Sequence, residues 1–534
     1  MKTNWQNQSS LPTQNTTLMS QATILWCDDE IELLKPQILF LQDKGYEVIT
    51  ASNGVDAVDL VKTQPIDIVF LDEQMPGLSG LETLTRIKDL LPQMPIVMIT
   101  KNEEENIMEE AIGSQISDYL IKPVKSNQIL LSLKKLLEGR QLISSKTTSA
   151  YQQQFQQLMM QLSSGLDYQE WAEAYRKLIY WELEMDKSKS AEMRDVLNMQ
   201  KKEANTEFFK FINKNYLLWM KDDQQAPVMS HTLFKKKVFP LVQQDVPTFV
   251  FLIDNLRYDQ WRIIQPALTD LFRLADESYH YSILPTTTQY SRNAIFSGLT
   301  PLDIEKKFPN YWLNDEEEGG KNKHESDFLA DQIIRNKLNI RHSYTKVVSS
   351  NDGKQLVDNI LNLCNNQLNV IVYNFVDLLS HARTEMQVLK ELAGDETSYR
   401  SITWSWFQYS PLFQAMQRLA DKKVNIIITS DHGSIRVKEP SKVIGDRETT
   451  TNLRYKHGRN LNYNKKDVLE VRNPNEAKLP QPHVSSSFIF AREDLFFVYP
   501  NNYNYHVNHY KNTFQHGGIS MEEMICPFVV LTNK

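Results

Sequence analysis

Residues 424–433 read Val-Asn-Ile-Ile-Ile-Thr-Ser-Asp-His-Gly, a β-branched apolar run that ends on a carboxylate and an imidazole. Such a run, bounded by polar turns, is a buried strand. In open α/β sheets the chemistry gathers where the strands end. The same pattern recurs along the last three hundred residues. Val246–Ile253 leads to Asp254, and Val370–Phe375 leads to Asp377, with His381 four positions on. If a helix starts there, that pair shares one face. Tyr279–Leu284 runs into Pro285-Thr286-Thr287-Thr288, a strand, turn and helix start that would expose a hydroxyl. His516-Gly517-Gly518 makes a turn before the last apolar run, Phe528–Leu531. Asp254, Thr288, Asp377, His381, Asp431, His432 and His516 thus form an oxygen and nitrogen set sized for two divalent metals, of the donor type that suits Zn²⁺ or Mn²⁺. Two such ions can stabilise the attacking and leaving oxygens of a displacement at phosphorus, and a coordinated threonine hydroxyl becomes a nucleophile.

Residues 22–140 alternate strand and helix more regularly. Thr23–Cys27, Glu47–Ala51, Ile66–Leu71, Pro95–Thr100 and Asp118–Ile121 read as strands, separated by helical stretches such as Ile31–Gln42, Gly54–Thr63 and Gly80–Leu90. Five such units predict a doubly wound five-stranded parallel sheet. Asp28, Asp29 and Asp72 then crowd one spot at its carboxyl edge. Their repulsion predicts a hard cation such as Mg²⁺.

Between these α/β regions, residues 151–222 hold almost no Gly or Pro and carry an apolar period of 3.6, which predicts three amphipathic helices. The domain reading is a disordered leader at 1–21, a first α/β domain at 22–140, a three-helix bundle at 141–235 and a larger α/β domain at 236–534. No apolar run reaches the ~18 residues of a membrane span. The leader lacks an apolar signal-peptide core. Three scattered cysteines, Cys27, Cys364 and Cys526, argue for a reducing compartment, so the expectation is a cytoplasmic protein. Net charge is −7, and residues 21–140 alone hold 20 acids against 11 bases. Residues 435–466 are basic instead, nine Lys or Arg against three acids, which suits an anionic substrate. No basic recognition helix is visible, which disfavours a helix-turn-helix DNA reader.

The first domain resembles the receivers of two-component response regulators: the Asp28-Asp29 pair, Asp72-x-x-Met75-Pro76-Gly77, Thr100, Tyr119 and Lys122-Pro123. The resemblance implies that Asp72 accepts a phosphoryl group, Asp28 and Asp29 hold Mg²⁺ with it, Thr100 and Lys122 contact the phosphoryl oxygens, and Tyr119 is the aromatic switch. The order Asp, Thr, Asp-x-x-x-His, Asp-His, His resembles the alkaline phosphatase superfamily, above all its phosphodiesterase branch and PglZ domains. Ser297–Pro301, Arg454–Leu461 and His516–Ser520 are PglZ-like strings. Receiver, bundle and PglZ-like domain in this order resemble the PorX-type regulators tied to the type IX secretion system.

That resemblance implies one zinc on Asp254, Thr288, Asp431 and His432, a second on Asp377, His381 and His516, and Thr288 as nucleophile. It further implies Arg292 and Asn310 on phosphate oxygens, a zinc-dependent phosphodiesterase acting on oligo- or cyclic nucleotides, a membrane sensor histidine kinase as phosphodonor, a sigma factor partner, and a homodimer formed on Asp72 phosphorylation. Arg454, Lys456 and Arg459 in the basic insertion are expected on substrate phosphates. The competing reading is an adaptor with a structural metal site that binds a sigma factor or secretion motor when phosphorylated. Thr288 disfavours it, since structural sites are closed by strong ligands.

Overall fold

The computed structural model describes residues 22–101, 116–137 and 151–534, less the segment 380–393 and positions 125, 127, 131, 134–135, 152–153, 156–157, 163–164, 189–190, 244, 316 and 447–448. The chain divides into two compact units, residues 1–149 and 150–534.

In the first unit β1 (Thr23–Cys27), β2 (Glu47–Ala51), β3 (Ile68–Asp72), β4 (Ile96–Thr100) and β5 (Asp118–Ile121) pair in parallel in the order β2-β1-β3-β4-β5. The central strands are buried on both faces, and their period of two deals side chains to two cores. Leu25, Val69, Leu71 and Met98 pack against α2 (Gly54–Thr63) and α3 (Gly80–Leu90). Trp26, Phe70, Val97 and Leu41 of α1 (Lys35–Asp43) pack on the opposite side. Asn53 caps α2, and Ser79 and Glu82 form a capping box on α3, so turn chemistry fixes where both helices start. The five predicted strands are all present, with ends moved by no more than two residues.

The second unit is built on a six-stranded mixed sheet. β8 (His342–Val347), β9 (Leu368–Tyr373), β6 (Thr248–Ile253) and β10 (Asn425–Thr429) run parallel, and β11 (Ile525–Asn533) and then β7 (Phe272–Tyr281) add antiparallel. β6, β9 and β10 are apolar runs, as read from the sequence. Of the run expected at Tyr279–Leu284 only the first half belongs to a strand, the end of β7, which begins seven residues earlier, and β8 was not foreseen. Both are edge strands, half wetted, so their polar residues hide the apolar signal. The basic insertion after Gly433 folds into short strands, among them Glu439–Ile444, Tyr455–Gly458 and Ser487–Ala491. No helix among the described residues is long and apolar enough to cross a membrane.

Two long helices, α4 (Tyr168–Ser188) and α5 (Ala191–Trp219), belong to this same unit. Their aromatic rows pack into the core, with Trp171 against Phe208 and Phe208 against Tyr281 of β7. Their polar faces feed a buried chain of charges. Arg400 of the helix Glu396–Tyr409 bonds Glu182 at 2.7 Å, Asp186 at 2.6 Å and Asp259 at 3.0 Å, and is itself 3% exposed. Glu182 also meets Lys201 at 2.7 Å, and Arg257 clasps Asp259 and Glu396 at 2.5 and 2.6 Å. Buried carboxylates left without a partner cost more than the pair contributed. Arg400→Met is therefore expected to lower the stability of this unit by about 3–5 kcal/mol, measured as denaturant unfolding followed by tryptophan fluorescence. An unchanged midpoint would mean that the network is solvated.

Candidate metal centres

β6 and β10 are paired so that Leu252 lies beside Thr429, which carries Asp254 and Asp431, each two residues further on, to the same level. Both are essentially fully buried, and ligand atoms of Asp254, Asp431 and His432 lie within 4.8 Å of one another. Burial, and then the charge of Asp254, push the Asp431 carboxyl well above its usual range. Its Oδ2 accepts no hydrogen bond among the described residues. A buried acceptor oxygen beside a second carboxylate is what a divalent cation satisfies, so the donor set fits a metal.

The imidazoles are oriented by backbone. His432 Nδ1 lies 3.1 Å from the Gly433 carbonyl and must donate to it, which leaves the Nε2 lone pair facing Thr288 Oγ1 at 3.1 Å. Burial holds the ring below its usual pKa, hence neutral. Thr288 opens α6 (Thr288–Ser297), and its hydroxyl also lies 3.3 Å from Asp254 Oδ1. The three consecutive threonines separate here. Thr286 Oγ1 donates to the Gly518 carbonyl and accepts from Gly517 N–H, so it fastens the turn that bears His516. Among the described residues Thr287 Oγ1 is buried without a partner, and of the three threonines Thr288 alone meets the carboxylates.

The second half lies alongside. His516 stacks on His432 with centroids 4.4 Å apart, points Nδ1 at the Thr286 carbonyl, and sets Nε2 3.6 Å from Asp377 Oδ1. His381 lies outside the described residues. Glycine is required at two turns. A Cβ on Gly433 would sit 2.1 Å from the Glu522 carbonyl, and Gly517 has φ +121° with Tyr455 against it.

In the first unit the acceptor atoms of Asp28, Asp29 and Asp72 also lie within 4.8 Å. Lys122 Nζ bridges Asp28 Oδ2 at 2.9 Å and Asp72 Oδ1 at 2.7 Å. Burial and the neighbouring carboxylates raise the Asp72 carboxyl, with Lys122 opposing them. Thr100 donates to Glu73, the buried residue after Asp72, which the motif reading passed over. Tyr119 is 41% exposed and points outward.

Residues 233–531 match the BREX system PglZ alkaline phosphatase-like domain, residues 141–220 the PorX response regulator linker domain, and residues 24–134 the response regulator receiver domain. The chain is 35% identical over 127 residues to the alginate biosynthesis transcriptional regulatory protein AlgB of Pseudomonas aeruginosa, which is 24% of this chain and 28% of that protein. It is 33% identical over 135 residues to the transcriptional regulatory protein ZraR of Klebsiella oxytoca, 25% of this chain and 30% of that protein. The chain therefore spans less than a third of the length of these relatives. A receiver domain protein from Clostridium thermocellum is 29% identical over 23% of this chain and 98% of its own, with a TM-score of 0.22.

The expected substrate contacts do not all survive. Arg292 is 1% exposed and spent on Asp254 at 2.6 Å and Glu325 at 2.5 Å, so it supports a carboxylate rather than a phosphate. Arg454 is fully buried against Glu523 at 2.7 Å, and Glu523 in turn accepts from Gly518 N–H, which braces the His516 turn. Arg459 pairs with Asp446 at 3.3 Å. Asn310 lies exposed in the turn after Pro301–Lys307. Lys456 is 1% exposed and donates to the Thr450 carbonyl, beyond the reach of a substrate. These three cations of the insertion are engaged within the protein, a use that charge counting does not distinguish from a binding face.

Burial pushes the Lys456 ammonium down to about 7 from 10.5. Above pH 10.5 the side chain is neutral folded or unfolded. As pH falls towards 7 the unfolded chain takes up the proton first, so folding loses stability across that window. Lys456→Met is expected to be more stable at pH 7 on the order of a few kcal/mol, with the gain vanishing near pH 10.5, as read from denaturation curves. Parallel curves for the two proteins would show a solvated ammonium.

Proposed function

The chain belongs to the PglZ alkaline phosphatase-like family, preceded by a receiver and a PorX-type linker, and from this premise we propose a response regulator whose output is metal-dependent phosphodiester hydrolysis. What carries the reading is the convergence of the Thr288 hydroxyl with Asp254, Asp431 and His432 in one buried cluster, with Asp377 and His516 beside it. Asp254, Thr288, Asp431 and His432 would hold one zinc, and Asp377, His516 and His381 a second. Bound there, the metals supply Lewis acidity at the reacting oxygens. Thr288 Oγ is the attacking atom. Its Oγ–P bond forms as the ester P–O bond breaks, and water then frees the threonine. Neutral His432 and Asp254 fix where that hydroxyl points.

Arg292 is engaged by two carboxylates and does not clamp the dianion of a monoester, which supports a diester as substrate. Oligo- or cyclic nucleotides are the class that the PorX-type kinship suggests. A receiver requires a kinase as phosphodonor, and we assign a membrane sensor histidine kinase to that part. Asp72, with Mg²⁺ on Asp28 and Asp29, would take the phosphoryl group while Thr100 exchanges Glu73 for it, Lys122 pairs with its charge and Tyr119 follows. Dimerisation, a sigma factor partner and control of type IX secretion complete the proposal.

Thr288→Val keeps the volume of the side chain and deletes its hydroxyl. Cleavage of a bis-nitrophenyl phosphodiester is expected to fall by at least about a thousandfold, while zinc content measured by atomic emission stays near that of the wild type. Wild-type turnover by this variant would remove Thr288 from the chemistry.

A further inference from the structure

We infer that Asn255 is a positioning residue that ties the two halves of the metal centre together by pinning the Asp377 carboxylate, an assignment that rests on the two-metal reading above. Asn255 follows Asp254 directly, is fully buried, and has a left-handed backbone with φ +62°. Asparagine tolerates that region better than other side chains, yet it still carries strain that persists only where the surroundings fix it.

Here both ends are fixed by metal-ligating carboxylates. The backbone N–H donates to Asp431 Oδ1 at 3.2 Å, and the side-chain Nδ2 donates to Asp377 Oδ1 at 3.3 Å. Asp431 belongs to the first ligand set and Asp377 to the second, so one residue spans both. The amide cannot be turned round, because an ionised carboxylate only accepts. The same Asp377 oxygen faces His516 Nε2 at 3.6 Å, so the amide holds the carboxylate in the rotation that aims it at its partner ligand. Asp377 is half-buried, the least enclosed carboxylate of the centre, and has most need of such a hold. Asn255 Oδ1 is buried with no donor among the described residues. It is thus the acceptor left for a water or substrate hydroxyl in the loaded site.

Glycine adopts φ +62° without strain and lacks the amide, so Asn255→Gly isolates the side chain. Zinc is titrated into the full chain against a chromophoric chelator, and Co²⁺ spectra follow the two sites. Wild type is expected to take two equivalents. Asn255→Gly should keep the first at unchanged affinity and hold the second about 10- to 100-fold more weakly. In the Asp377→Asn background the same glycine should cost nothing further, as a double-mutant cycle shows for a residue acting through its neighbour. Two equivalents at wild-type affinity, parallel loss of both, or additive losses in the cycle would overturn the assignment and leave the hydrolase reading standing. A wild-type chain that takes fewer than two equivalents would overturn both.

Discussion

Two carboxylates held side by side out of water are the constraint on which the second unit is built. Asp254 and Asp431 stand level at the ends of adjacent parallel strands, with no solvent to separate their charges. Ionised together and unopposed they would cost several kcal/mol. The surroundings read as an answer to that cost. Arg292 approaches one of them, Glu325 counterbalances Arg292, and Tyr344 and Lys346 bind Glu325. Backbone N–H groups of Asn255 and His432 point at Asp431. Each carboxylate is thus held by donors that the fold itself places, the kind of arrangement that a reaction relying on positioned charge requires.

The turns that carry His432 and His516 are held in the same way. Gly433 donates to the Glu523 carbonyl, and Glu523 receives Arg454, Ser520 and Gly518. Glu522, next in sequence, is grasped by Asn205 of α5, whose Oδ1 takes the N–H of Met521. Arg257 reaches the Ser434 carbonyl from the charge network that includes Glu182 and Asp186 of α4. Thus α5 bonds the backbone beside the turn that bears His516, and α4 is joined to the backbone after His432 through a relay of Arg400, Asp259 and Arg257. The receiver poses the same electrostatic problem on a smaller scale. Asp28 and Asp72 end neighbouring strands, and a single lysine, Lys122, lies between them.

The ends of the buried central strands are written locally in the chain. Apolar runs closing on Asp28, Asp72, Asp254 and Asp431 are local patterns, because burial on both faces writes a continuous hydrophobic signal and the functional residue follows it. The receiver motif was legible for that reason, and so were Asp254, Asp431 and His432, whose ligand atoms the fold gathers within 4.8 Å, while Thr288, Asp377 and His516 are brought beside them and His381 lies outside the described residues. Edge strands such as His342–Val347 were not legible, since half of each faces water.

What each charged side chain is spent on is settled by packing between distant segments. Arg292, Arg454 and Lys456 look in sequence like cations for a phosphate, yet each is buried on a partner 6 to 69 residues away. Glu73 and Asn255 stand next to Asp72 and Asp254 in the chain, yet what they do there, like what Arg257 and Glu523 do, is set by contacts across the fold. A charge interacts through space, and its partner is fixed by which elements pack together. Composition and spacing locate the carboxylates, and folding alone assigns their counter-charges.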